Sequence, residues 1–235
     1  MKFGCLIGVG LGPGDPELLT LKALRLISTA SVVAYPAPLG GDSFARSIAS
    51  AFIPEDAQEI RIDIPMDVAR YPAQEAYDTG AAEIAKELSA GKDVVVLCEG
   101  DPLFYGSFMY LFARLSDGFE TEIIPGVTSV TACAASAKRP LSARNEVLTI
   151  IPGTLGKAEL ADRIKTADAC AIMKVGRHLS KIRDVLAAQN LLDRASYIER
   201  ASLPNEVCVP LTKAPDTAPY FSMILVSKGE DPWLS

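Results

Sequence analysis

A chain of 235 residues in which 49% of side chains are hydrophobic has enough apolar surface for one large domain or two smaller ones, which excludes a disordered polypeptide. Its net charge of −6 and sequence pI of about 4.9 exclude the dominant basic field that binding to nucleic acid or an anionic membrane requires. No apolar run reaches the ~18 residues of a membrane span, and Met1-Lys2-Phe3-Gly4-Cys5-Leu6-Ile7-Gly8 enters a strand at once, so the protein is expected to be cytoplasmic.

Runs rich in Val and Ile alternate with segments of helical period, the pattern of an α/β protein with a largely parallel sheet. The first unit reads as a strand from Gly4 to Val9, a glycine-rich turn, a helix from Pro16 to Ser28 and a strand from Ser31 to Tyr35. Asp15 supplies the N-cap of that helix, Pro16 its first position, and Leu18, Leu21, Leu24 and Leu26 its apolar stripe. The polar, proline-bearing stretch from Pro36 to Arg70 holds a short helix over Ser43 to Phe52 and a strand over Glu59 to Ile64. A strongly helical segment, Ala73 to Ala90, stops at Gly91 and feeds the almost wholly apolar strand Asp93 to Cys98. A further helix, Ser107 to Leu115, carries Phe108 and Phe112 on one face.

The polar run Asp117 to Thr121 precedes a strand over Glu122 to Ile124 and marks the expected boundary between an N-terminal α/β domain, 1–120, and a C-terminal one, 121–235. In the second half, helices are predicted over Thr128 to Ser136, Lys157 to Thr166 and Ser180 to Gln189. Strands are predicted over Val147 to Ile151, Ala169 to Met173, Ala195 to Glu199 and Tyr220 to Val226, in a mixed sheet. The single histidine, His178, stands beside Arg177 and reads as a surface residue, so zinc sites with several imidazoles are excluded. Cys5, Cys98, Cys133, Cys170 and Cys208 include no CxxC pair and read as reduced thiols, mostly buried; no metal is expected.

Three strand-turn-helix motifs carry the chemistry. Gly8-Val9-Gly10-Leu11-Gly12-Pro13-Gly14-Asp15-Pro16 suggests a dinucleotide fingerprint, but Pro13 and Pro16 remove amide donors and no ribose-binding acid ends the next strand, Ala34-Tyr35-Pro36. A tight turn, or a loop kept small beneath a bulky substrate, are the other readings. In Cys98-Glu99-Gly100-Asp101-Pro102-Leu103-Phe104-Tyr105-Gly106-Ser107, Asp101 either faces a ligand crevice at the end of a buried strand or caps the following helix. Pro125-Gly126-Val127-Thr128-Ser129-Val130-Thr131-Ala132-Cys133 opens a small-residue helix that either admits a flat ligand close to its backbone or simply packs closely.

Together GVGLGPGDPELLT, CEGDPLFYGS and PGVTSVTACAA, in this order, resemble the signature stretches of the tetrapyrrole (corrin and porphyrin) methylase family. Segments 171–177, 197–201 and 220–226 resemble that family's remaining ligand-lining strands, so the match covers nearly the whole chain. GDPLFYGSFMYLFARL and IMKVGRHLSKIRDVL resemble the branch acting at carbon 20 of precorrin-2 or cobalt-factor II. The resemblance implies two αβα domains with S-adenosylmethionine in the cleft between them, a small-molecule tetrapyrrole substrate and a homodimer, with no nucleic-acid or membrane partner. It implies that Gly100, Asp101, Leu103, Phe104 and Tyr105 hold the cofactor's methionine end and ribose, and that Ser129, Thr131 and Ala132 hold its other polar edge. Met173, Arg200, Ala201, Ser222 and Met223 would flank the adenine, while Gly12, Pro13, Gly14 and Asp15 would face the tetrapyrrole.

A sulfonium methyl is already electrophilic, so the protein must place a ring carbon in line with it and keep water away. Asp101 and Tyr105 are the catalytic candidates, either positioning the cofactor or taking part in the proton transfer that follows methylation. Substrate carboxylates call for basic side chains; Arg139 and Arg177 are the leading candidates, with Arg46, Lys138 and Arg144 beside them. Two other classes remain: a nicotinamide-dependent oxidoreductase, on the glycine loop alone, and a non-catalytic tetrapyrrole-binding protein.

Overall fold

A computed structural model describes residues 2–65 and 71–229, in two compact units divided between Thr128 and Ser129. The sequence-expected features of residues 66–70 lie outside the described residues. Among those described, no helix is long and apolar enough to cross a membrane.

The first unit is built on five parallel strands, β1 (Leu6–Gly10), β2 (Val32–Pro38), β3 (Gln58–Ile64), β4 (Val94–Cys98) and β5 (Thr121–Ile124), in the order β3-β2-β4-β1-β5. Both β1 and β4 are buried along their whole length, as their uninterrupted apolar runs require of central parallel strands. One face is covered by α1 (Leu21–Ser28) and α2 (Phe44–Ala49), whose Ala23, Ile27, Ala45 and Ile48 pack on Ile7, Val9, Val95 and Leu97. The other is covered by α3 (Tyr71–Ser89) and α4 (Phe108–Leu115), whose Ile84, Leu88, Phe108 and Leu111 pack on Leu6, Val94, Val96 and Cys98. Neighbours β1 and β4 therefore send their connections over opposite faces and in opposite directions. Open α/β sheets bind ligands at such a reversal, outside the carboxyl ends of the strands.

Two expectations change here. The single helix expected from Pro16 to Ser28 is a 3₁₀ turn, Pro16–Leu18, followed by a separate α1. Asp15 caps the turn through the Glu17 amide at 2.9 Å, but Thr20 is extended and restarts the chain as a second N-cap, its hydroxyl accepting from Ala23 at 3.1 Å. The buried stripe is consequently Ala23 and Ile27, and Leu21 is 85% exposed. Strand β5 pairs with β1 and lies in the first unit, so the chain divides after the turn that follows β5 and not at the polar run 117–121.

The second unit has a mixed sheet, as expected: β6 (Leu148–Pro152), β7 (Ala169–Met173), β8 (Ala195–Glu199), β9 (Val207–Pro210) and β10 (Ser222–Ser227), in the order β6-β7-β10-β8-β9. Strands β6 and β7 are parallel, and β10 is antiparallel to both β7 and β8, so β6, β7 and β8 share one direction. Helices α6 (Lys157–Thr166) and α7 (Leu179–Ala188) bury Leu160, Ile164, Ile182 and Leu186 against Ile172, Tyr197 and Ile224. Helix α5 (Ser129–Ala137) packs on β8, β9 and β10. Three thiols, Cys98, Cys133 and Cys170, are buried, Cys5 is half-buried and Cys208 exposed; all are free.

Candidate active site

The glycine turn after β1 and the acidic turn after β4 are hydrogen-bonded to each other through their backbones. Gly100 N donates to Gly12 O at 2.7 Å and Gly12 N to Gly100 O at 3.2 Å, forming a two-residue bridge. Both glycines have positive φ, 76° and 64°, where a side chain would be strained. The turn after β5 joins them: a Cβ on Gly126 would fall 2.0 Å from Gly100 O and 2.9 Å from Gly10 Cα. Three glycine-bearing turns thus touch backbone to backbone at the reversal point. Because the Gly12 and Gly100 amides are bonded to each other, they are not free to cradle a pyrophosphate, which removes the basis of the dinucleotide reading.

Asp101 ties this assembly together. Its Oδ1 accepts from Leu103 N at 2.9 Å and its Oδ2 from Gly126 N at 3.1 Å. It does not cap the following helix: Ser107 holds the N-cap position of α4, and the Phe108 amide is taken by Cys98 Sγ at 3.3 Å. Beyond Asp101 the chain presents Leu103 and Tyr105, 49% and 44% exposed, with the Phe104 and Tyr105 rings edge to face at 5.2 Å. Tyr105 has φ 57°, a strained conformation for a tyrosine and one of the kind that collects at functional turns. A Cβ on Gly100 would meet nothing within 4 Å, so the outer side of this turn opens on empty space.

Sequence reasoning gave no role to Glu99, the residue between Cys98 and Gly100. Its carboxyl is half-buried and has the amides of Glu99 and Ala45 among its hydrogen-bond partners. Burial pushes it above the usual carboxylate range, and those amides offset part of the rise. An acidic residue at the end of a five-residue buried strand was the available signal.

In the second unit, Met173 at the end of β7 lies opposite Met223, and Glu199 at the end of β8 lies opposite Ser222. The expected residues Met173, Arg200, Ala201, Ser222 and Met223 therefore share one sheet edge. Glu199, 7% exposed, accepts from the Tyr197 hydroxyl at 2.6 Å and pairs with the Arg200 guanidinium. Burial, reinforced by that hydrogen bond to Glu199, pushes the Tyr197 hydroxyl well above the usual phenol range. Ser222 Oγ donates to Pro219 O at 2.6 Å and accepts from Gly176 N at 3.3 Å, fixing the start of β10 against the turn after β7. Lys174 and Arg200, each just past a strand end, have φ 57° and 52°. On α5, Ser129 and Ala132 are one turn apart, half-buried and buried, while Thr131 is exposed.

The basic candidates separate. The Arg46 guanidinium is held bidentately by Glu59, at 2.6 and 2.7 Å, and is committed to that pair. Arg139 donates to Arg194 O at 3.0 Å, next to the start of β8, and Lys138 and Arg144 lie in the connection that leads to the start of β6. Arg139 is therefore at the sheet edge opposite Met173 and Glu199, which its charge alone could not tell. Arg177 follows the end of β7, is exposed and makes no ion pair among the described residues. His178 stands partly exposed at the N-cap of α7; burial, then Lys181 and Arg177, hold its imidazole below the usual range. In the first unit, Gly12 belongs to the backbone bridge and Asp15 to the 3₁₀ cap, with Pro13 and Gly14 between them.

Comparison with known proteins gives a consistent result. Residues 5–215 match the family described as Tetrapyrrole (Corrin/Porphyrin) Methylases. The precorrin-2 C(20)-methyltransferase of Sinorhizobium sp is 44% identical over 237 residues, covering 97% of both chains. The cobalt-precorrin-2 C(20)-methyltransferase of Salmonella typhimurium is 34% identical over 229 residues, 96% of this chain and 97% of the relative. Among solved structures, uroporphyrin-III C-methyl transferase from Thermus thermophilus, complexed with S-adenyl homocysteine, superposes with a TM-score of 0.68 at 26% identity, over 95% of this chain and 97% of that one.

Proposed function

The chain belongs to the tetrapyrrole (corrin/porphyrin) methylase family, and from that premise we propose that it transfers the methyl group of S-adenosylmethionine to carbon 20 of precorrin-2, giving precorrin-3A in cobalamin synthesis. The observation that carries this reading is the end-to-end correspondence with the Sinorhizobium enzyme of that name, which spans the three glycine-bearing turns as well as both sheets.

When bound, the cofactor supplies an electrophilic sulfonium methyl. What the protein contributes is placement and dryness. The residues fit such a group: the open space over Gly100 lets a ligand approach the backbone without meeting a side chain, and Leu103 and Tyr105 offer an exposed apolar rim beside it. In this reading Gly100, Asp101, Leu103, Phe104 and Tyr105 hold the methionine end and ribose, and Ser129, Thr131 and Ala132 hold the other polar edge. Met173 and Met223 present apolar surface to the adenine, with Arg200, Ala201 and Ser222 at its margin. Asp101 acts by position, since each of its oxygens already accepts a backbone amide. Tyr105 shields the reacting carbon from water. The Gly12-Pro13-Gly14-Asp15 turn and Arg177 face the tetrapyrrole, Arg177 through a substrate carboxylate.

The protein works as a cytoplasmic homodimer, and light scattering would report about twice the 25.0 kDa chain mass. Incubation with S-adenosylmethionine and either metal-free or cobalt-loaded precorrin-2, followed by mass spectrometry and NMR of the product, tests the activity. A new methyl at carbon 20 supports the proposal, and the faster substrate identifies the metal state. Methylation at another carbon keeps the family but overturns the site of reaction. A thermal shift with NAD and none with S-adenosylmethionine would favour an oxidoreductase instead, and cofactor binding without release of S-adenosylhomocysteine a non-catalytic binding protein.

A further inference from the structure

Two energetic costs meet at the end of β8. Glu199 is 7% exposed, so its charge has been taken out of water. A buried ion pair often stabilises no better than well-packed apolar side chains of the same volume. Arg200 has φ 52°, a left-handed conformation that an arginine adopts only against a steric penalty. The surroundings hold both residues in these states. The Arg200 amide donates to Phe221 O at 2.9 Å and its carbonyl accepts from Leu203 N at 3.0 Å, so both of its backbone groups are fixed. The Glu199 carboxylate accepts the Tyr197 hydroxyl at 2.6 Å on Oε2 and the Arg200 guanidinium on Oε1. A fully buried tyrosine therefore orients the glutamate, and the glutamate orients the arginine.

A guanidinium is a planar fork of N–H donors with no acceptor. One arm of the Arg200 fork meets Glu199, and among the described residues its Nε and its other terminal nitrogen make no hydrogen bond or ion pair. The side chain is 34% exposed, so these donors are not sealed in the core. They stand at the sheet edge that carries Met173, Ser222 and Met223.

A guanidinium held this way offers directed hydrogen bonds with little net charge, because the adjoining carboxylate neutralises it. That combination suits a neutral ligand rich in acceptors better than it suits a carboxylate. Adenine is such a ligand: its ring nitrogens N1, N3 and N7 all accept, and its amino group is its sole donor at neutral pH once the ribose is attached. We propose that Arg200 is the residue that recognises the adenine of S-adenosylmethionine, donating to a ring nitrogen, with Tyr197 and Glu199 as the positioning residues that aim it. The inference rests on the methyltransfer reading above and adds to it the group that selects the base. The strained backbone and the buried charge are then the means by which one fork is kept pointing at one ligand.

The test is calorimetric and uses S-adenosylhomocysteine with its 1-deaza, 3-deaza and 7-deaza analogues, in each of which one ring nitrogen is replaced by C–H. Wild type should lose roughly tenfold or more in affinity for the analogue that lacks the accepting nitrogen. Arg200→Met, which has no donor, should bind the parent compound roughly 10–100-fold more weakly. It should bind that analogue and the parent alike, within about twofold, which closes a cycle between side chain and ring nitrogen. Glu199→Gln keeps an acceptor for Tyr197 but not the charge that aims the guanidinium, so its discrimination should fall between the two. In turnover, KM for S-adenosylmethionine should rise in Arg200→Met while KM for precorrin-2 holds. A merely structural Arg200 would lower the melting temperature and leave the ratio of affinities between analogue and parent unchanged. Should the methionine variant fail to fold with Glu199 unpaired, Arg200→Lys, which keeps a charge beside Glu199 without the second arm of the fork, carries the same comparison. Equal analogue penalties in wild type and variant, or no penalty in wild type, overturn the inference and leave the methyltransferase reading intact. So does a KM that rises for precorrin-2 alone, which would assign the guanidinium to a substrate carboxylate. No binding of S-adenosylhomocysteine by the wild type overturns both.

Discussion

The Asp101 carboxylate accepts the Gly126 amide at 3.1 Å, linking the turn after β4 to the turn after β5 across 25 residues of sequence. Its other oxygen holds Leu103 N at 2.9 Å, so one side chain sets the spacing of two turns of the candidate site. A charged acceptor between two backbone donors makes stronger bonds than a neutral one.

Replacement by Asn tests that linkage. Asp101→Asn keeps the shape, but its amide nitrogen cannot accept, so one of the two backbone donors loses its partner. Urea denaturation should show a loss of about 1–3 kcal/mol. Calorimetry should show weaker binding of S-adenosylhomocysteine, because the turn proposed to hold it is no longer fixed.

Two glycine substitutions in the same place should behave in opposite ways. In Gly126→Ala the new methyl would lie 2.0 Å from Gly100 O, and backbone on both sides cannot yield, so stability should fall by about 3 kcal/mol or more. In Gly100→Ala the methyl meets no protein atom within 4 Å, and the positive φ alone costs about 1–2 kcal/mol. That methyl projects into the space proposed for the cofactor. Thermal melts and binding titrations on both variants should therefore separate a stability defect at Gly126 from a binding defect at Gly100.

Tyr197→Phe removes the donor that lies 2.6 Å from Glu199 Oε2 in a site where Tyr197 is fully buried. The oxygen left behind is buried with one hydrogen bond fewer, at a cost of about 1–3 kcal/mol by chemical denaturation. The positive-φ turn at Arg200 loses part of its support, and S-adenosylhomocysteine affinity should fall with it.

The pH dependence of stability has a component from Glu59. The hydrogen bonds from Arg46 hold its carboxyl below the ordinary 4.5, and burial opposes them. A carboxyl lowered on folding adds stability that is complete above the unfolded value and is lost as pH falls through the folded one. The melting-temperature difference between wild type and Glu59→Gln should therefore be constant above about pH 6, where the unfolded carboxyl is fully ionised, and close progressively below 4.5. Because the pair is partly exposed, added salt should shrink the difference.

Much of the architecture was legible in the pattern of apolar runs. The segments ending at Cys98 and Met173 are strands because nothing polar interrupts them, and the alternation of strand and helical periods leads directly to two α/β sheets. Other features lay beyond local pattern. Thr20 is as good a cap as Asp15, so two starts competed within one apparent helix, and the chain used both. Strand β5 belongs with β1 through a pairing between residues more than a hundred positions apart, which no local boundary signal encodes. Strand β9, VCVP, is short, exposed and ends in proline, and offered neither alternation nor a buried run.

The site was legible to a similar depth. The glycines of the three turns announced a close approach, but whether to a phosphate or to one another was decided by the Gly12 and Gly100 bridge. Asp101 stood out by its place after a buried strand, whereas Glu99 did not, because its surroundings include the Ala45 amide of α2, 54 residues earlier in the chain. Arg139 and Arg177 looked equivalent as cations; only the direction of β8 places them at opposite edges of their sheet.

The most direct test of the central claim is a titration of the labelled protein with S-adenosylhomocysteine, followed by NMR of backbone amides and methionine methyl groups. Saturable shifts at the amides of residues 100–105 and at the methyls of Met173 and Met223 are predicted. Binding that leaves those resonances in place and moves others, or no binding at all, would contradict it.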